Sequence, residues 1–149
     1  QEKERRKILF QLVAKARKLI PSKIKLGYFA VPFKENERPE LIDSLGQDHQ
    51  GLSRFFDIIS PMLYHRMIGK PVKYISGYVS WLVEKTKKPI LPIIQVKDMP
   101  DNLPDKLTET EISQAFEEAK KDPAIGVAFF SWEHAVEKGK TELLKNLFR

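Results

Sequence analysis

Four nearly unbroken apolar runs divide the chain: Leu26 to Phe33, Ile58 to Tyr64, Pro89 to Val96 and Ile125 to Trp132. Continuous rather than alternating apolar runs mark strands buried on both faces, as in parallel sheets. Between the runs, apolar residues recur every three or four positions, the helical period. Ile8, Leu9, Leu12, Val13, Ala16, Leu19 and Ile20 predict a helix over 3–20, ended by Pro21 and Ser22. A short helix is expected around 47–55. Val72, Ile75, Val79, Leu82 and Val83 mark another over 70–87, weakened slightly by Gly77. Thr108 with Glu111 three residues on is a capping box, opening a helix whose stripe is Ile112, Ala115, Phe116 and Ala119. Ala135, Val136, Leu143, Leu144 and Leu147 predict a last helix over 134–148.

The order is therefore one leading helix, expected to cover a sheet, and then strand and helix in alternation over residues 26–149. Alternating units of this kind imply an α/β domain with parallel strands and right-handed crossovers. Residues 1–149 read as a single domain. Two architectures fit: four βα units making half of a TIM-type (β/α)8 barrel, or an open doubly wound parallel sheet. A whole barrel needs at least about 200 residues, more than the 149 present. The first run is followed by Pro32-Phe33-Lys34-Glu35, not by the Gly-rich phosphate turn of nucleotide-binding open sheets. Pro32, Pro61 and Pro92 lie in or at the end of three runs, where a missing N–H suits strand ends and bent rims. Both features favour the half barrel.

The segment Phe56-Asp57-Ile58-Ile59-Ser60-Pro61-Met62-Leu63-Tyr64-His65 is the most distinctive in the chain. It resembles a strand of the putative glycosyl hydrolase domains, (β/α)8 barrels of the glycosidase neighbourhood. Leu91-Pro92-Ile93-Ile94-Gln95 and Gly126-Val127-Ala128-Phe129-Phe130-Ser131-Trp132 are similar to two further strands of that group, in the right order. The resemblance covers residues 26–149 and implies that the four runs are barrel strands five to eight. It implies carbohydrate-active chemistry, the hydrolysis of glycosidic bonds by rim carboxylates, with no cofactor. In the large retaining-glycosidase clan a Glu nucleophile ends the strand that ends here in Gln95. That departure leaves open a non-catalytic barrel piece that binds carbohydrate or protein.

Reactive groups of such barrels sit at the C-terminal ends of the strands. That rule selects Glu35, Asp98 and Glu133 as candidate acid, base or nucleophile, and Tyr64, His65, Gln95 and Trp132 as candidate ligand contacts. Trp132 could stack on a pyranose face; a Trp that plugs the barrel is the alternative. Glycoside hydrolysis uses two carboxyl groups, about 5–5.5 Å apart for retention and about 6.5–9.5 Å for inversion. Asp57 begins its run, so its expected place is the opposite end, as a cap or loop partner. Tyr78 and Trp81 fall on a helix and are expected to pack. No second His stands at ligand spacing from His65, so no metal site is expected.

Composition changes this picture little. Lys and Arg exceed Asp and Glu by 26 to 20, a net charge of +6, but the basic residues are interleaved with Glu on the helices. No basic stripe carries interleaved aromatics, so nucleic acid is not expected as a partner, and the basic leading helix is read as covering a sheet rather than lying on a membrane. Cysteine is absent, which excludes disulfides and thiol chemistry and leaves the compartment open. No run reaches the ~18 apolar residues of a membrane span. Gln1 in place of Met suggests a piece of something longer. Four parallel strands alone have two open edges and an uncovered face, so the chain is expected to associate, with itself or with a missing half barrel.

Overall fold

The computed structural model describes residues 2–100 and 104–149. Its elements run α1 (Glu2–Leu19), β1 (Gly27–Ala30), α2 (Glu40–Leu45), α3 (His49–Leu52), β2 (Ile58–Pro61), α4 (Tyr74–Thr86), β3 (Ile93–Gln95), α5 (Glu109–Ala119), β4 (Ala128–Phe130), α6 (Trp132–Glu137) and α7 (Thr141–Leu147). The chain is thus of mixed α/β class with parallel strands. The expected capping box is present: Thr108 accepts from the Glu111 N–H while Glu111 accepts from the Thr108 N–H.

The strands are shorter than the apolar runs, and proline is the reason. β1 pairs with β2 over Gly27↔Ile58 to Ala30↔Pro61, and β3 pairs with β4 over Ile93↔Ala128 to Gln95↔Phe130, both parallel. Between β2 and β3 only separate bridges form, Ile59↔Ile90 and Met62↔Ile93. Ile59 takes both its bonds across this seam, from its own N–H to Pro89 O and from Leu91 N–H to its O, and Leu63 N–H reaches Ile93 O. Pro61 sits between them in the same register and has no N–H to give. Pro92 interrupts the β3–β4 ladder likewise, between Ile125 N–H on Ile90 O and Ala128 N–H on Pro92 O. The four strands therefore lie side by side in chain order, all parallel.

One face of this layer carries the core. Ala30, Ile59, Ile90 and Ile94 pack with Ile75, Tyr78, Val79 and Leu82 of α4 and with Ala115, Phe116 and Ala119 of α5, joined by Tyr28, Phe129 and Leu147. A second cluster sets Val96 and Leu107 against Ile112, Ala135 and Leu144. The opposite face presents Phe29 and Phe130, 65% and 41% exposed, at the two outer strands.

Three helices depart from the sequence expectation. The helix expected over 47–55 is only α3, with α2 before it. The helix expected over 134–148 is two, parted at Gly139, whose φ is +66°. The physical reason is Lys140, whose buried ammonium donates to Val96 O, Leu107 O and Asp105 Oδ2; Val136 of the expected stripe is left 55% exposed. The leading helix α1 lies along α2 at the β1 edge rather than over the sheet face, with Ile8, Leu12 and Leu19 exposed. No helix of the described residues is long and apolar enough to cross a membrane.

Candidate functional site

The C-terminal ends of β2 and β3 meet in a polar cluster. Beyond β2 the chain turns through Tyr64, His65 and Arg66. The Arg66 N–H donates to Gln95 Oε1, and the Gln95 amide nitrogen donates to Lys97 O. Gln95 is 1% exposed and serves as a strut between two loops. The Arg66 guanidinium donates to Asp98 at 2.7 Å and to Glu111 at 2.9 Å. Asp98 also accepts from the Lys106 N–H. These two carboxylates raise the Arg66 pKa, and Glu111 is lowered by the Thr108 N–H and by Arg66. Arg66, Asp98, Met99, Pro104 and Lys106 line a groove of about 350 Å³ beside the cluster.

His65 sits within this region, 3% exposed, and neither ring nitrogen has a hydrogen-bond partner. Burial lowers its pKa; Glu111 and Asp98 pull it up and Arg66 pushes it down. Its neighbour Tyr64 is also buried, with its hydroxyl pKa raised by desolvation, and its ring lies 5.6 Å from that of Phe130 in a stacked pair. The aromatic pair links the end of β2 to the end of β4.

The other sequence candidates lie apart from this cluster. Glu35 pairs with Lys85 of α4. Trp132 is 60% exposed and faces Phe129, Leu144, Lys145 and Phe148, so its ring lies toward α7. Glu133 is exposed in the first turn of α6, directly after β4. So the structure brings together His65, Gln95 and Asp98, with Tyr64 alongside, and separates Glu35, Trp132 and Glu133 from them. Asp57, as expected, is structural: it accepts from the Leu26 N–H and faces Arg17 and Lys25. Tyr78 is fully buried packing, as expected for its helix.

Sequence reasoning missed Arg66, although it follows His65 at the end of the same run. It also missed a set at the end of β1: Glu37 accepts from Lys70, from the Tyr74 hydroxyl at 2.7 Å and from the Lys34 N–H. Burial pushes the Glu37 pKa up, but those donors outweigh it and bring it to about 2. A third set lies beneath, where the Tyr78 hydroxyl donates to Val31 O, so it must accept from His49 Nε2–H at 3.4 Å. His49 Nδ1 then accepts from Tyr28 at 2.9 Å. Among the described residues no three His, Asp or Glu side chains assemble as a metal site. No protein-family model matches this chain, and no curated protein matches it either.

Proposed function

We propose that the four units form half of a (β/α)8 barrel whose mouth binds a neutral, hydroxyl-rich ligand of the carbohydrate class. The observation that carries this reading is His65. A neutral imidazole offers one donor and one acceptor, and a buried polar group without partners is costly unless a ligand or water completes it. Adjacent hydroxyls of a sugar supply that pair of bonds. The Tyr64–Phe130 stack, with Phe130 part-exposed, offers the apolar surface that a pyranose face meets. Because the nitrogens of His65 are shielded, entry displaces the turn that Gln95 holds through Arg66 N–H.

The half-barrel reading is supported by strand order and by the helices. A doubly wound sheet reverses its order at a switch point and carries helices on both faces. Here the order is sequential and the strand core faces α4, α5 and α7. The resemblance of three strands to the putative glycosyl hydrolase domains points the same way. In the second reading, hydrolysis, Glu133 is the favoured carboxylate, since it stands exposed next to the end of β4. Asp98 and Glu35 are each committed to a cation, so a second carboxyl group would come from the other half of the barrel.

Calorimetric titration with a panel of oligosaccharides tests the proposal, with reducing-end release measured in parallel. We expect binding without turnover, lost in His65→Ala while the circular dichroism spectrum is kept. Binding unchanged in His65→Ala would overturn the role of His65. Turnover that disappears in Glu133→Gln would favour the hydrolytic reading.

A further inference from the structure

The outer edge of β1 is already engaged, by a side chain. Leu26 O and Ala30 O accept from Ile58 N–H and Met62 N–H, so residues 26, 28 and 30 turn their backbone groups to β2. Residues 27, 29 and 31 turn theirs outward. There the Gln47 amide takes both kinds of group: Val31 N–H donates to its oxygen at 2.9 Å, and its nitrogen donates to Phe29 O at 3.2 Å. One amide bound to a carbonyl and to an N–H two residues on is the pattern of a parallel strand residue placed opposite Ala30. Gln47 is well positioned for this. Gly46, with φ +69°, ends α2 just before it, and Asp48 caps α3 just after it.

The same edge is apolar. Leu9, Val13, Tyr28, Phe29, Leu45 and Leu52 line a groove of about 230 Å³ that Gln47 borders. At the far side of the layer, Ala128 N–H and the Phe130 carbonyl face β3, so Phe129 turns its backbone outward from β4. Beside that second edge Phe130, Trp132, Val136 and Phe148 are exposed by 41–60%. The two outer edges belong to strands of one direction.

We propose that the edge of β1 is a strand-docking site for β4 of a second copy of this chain, and that Gln47 is the displaceable stand-in that closes it. A two-fold axis along the strand direction sets each β4 beside the β1 of the other copy, parallel, so both edges and both apolar patches are covered at once. The inference rests on the half-barrel reading, which requires four further strands.

Sedimentation velocity of the full chain over micromolar to submillimolar concentrations tests it, with Gln47→Ala and Gln47→Glu compared. Gln47→Ala removes both bonds of the clasp, whereas Gln47→Glu keeps an acceptor for Val31 N–H but replaces the donor to Phe29 O with an oxygen that opposes that carbonyl; circular dichroism monitors folding. The expected result is a monomer–dimer equilibrium whose dissociation constant falls about tenfold in each variant, the scale of the hydrogen bonds released. A wild-type dimer matched in strength by both variants overturns the Gln47 role and leaves the association standing. Absence of dimer in all three chains overturns the association with a second copy itself. The chain has no cysteine, so a Lys25→Cys/Ile125→Cys chain treated with a short thiol cross-linker locates the contact. A covalent dimer is expected; none from a dimeric sample overturns the pairing of β1 with β4.

Discussion

His49 and His65 are buried almost equally, 2% and 3% exposed, and burial lowers the pKa of both. Their surroundings differ. His49 stands in a chain of hydrogen bonds from Tyr28 through its own two nitrogens to Tyr78 and on to Val31 O. His65 has no partner at either nitrogen. The first is a core residue whose polarity is fully used by the fold. The second is a polar residue that the fold buries without bonding, and it lies just beyond the carboxyl end of a parallel strand, the side on which α/β sheets bind ligands. Burial and residue type are alike, so the difference that suggests function is satisfaction of the ring nitrogens.

The contrast can be broken by substitution. Replacing His49 with Ala takes the acceptor from the half-buried Tyr28 hydroxyl, removes one of the two bonds of Tyr78 and leaves a cavity, so urea unfolding should show a loss of about 3 kcal/mol. A loss below about 1 kcal/mol would mean that the chain of hydrogen bonds contributes little.

Acid sharpens it next. The folded-state pKa of His49 is lowered to about 4 from an ordinary 6.5, so the unfolded chain takes up the proton first. Stability from this group is complete above pH 6.5 and falls between pH 6.5 and 4, by about 2 kcal/mol at pH 5. His65 is lowered too and acts with the same sign. Unfolding midpoints at pH 7 and 5 should therefore separate less in His49→Ala than in the wild type. An unchanged difference would remove His49 as its source.

The smallest stability effect belongs to His65. Leu at that position removes a polar group with no bonds to lose, so stability at pH 7 should stay within about 1 kcal/mol of the wild type, or rise. A large loss would show that His65 is structural after all.

Much of the layer was legible because apolar runs of eight or so residues have few alternatives in a parallel sheet. Ile59 and Ile94 were placed in strands by that signal alone, Ile90 of the same runs makes only separate bridges, and the α5 start was legible in Thr108 and Glu111. The local interruptions were harder. Pro61 and Pro92 announced trouble in the strands, but which rung each removes depends on register, which no single run contains. The candidate site was legible only in part. Position at a strand end selected His65, Gln95 and Asp98, which do meet. It also selected Glu35, whose partner Lys85 lies 50 residues away, and Trp132, whose ring turns toward α7. Gln47 gave no signal, since its partners are backbone groups that any residue supplies.

Lys140 has a consequence for the end of the chain. Its ammonium is the shared donor for two carbonyls and a carboxylate that belong to the loop after β3. The break at Gly139 is thus a moored joint rather than slack. Cutting the chain at that joint would take more than a terminal helix: it would take the cation from two carbonyls and from Asp105, whose other oxygen accepts from the Asp98 and Leu107 N–H groups, and the disturbance would surface at the loop that carries Asp98.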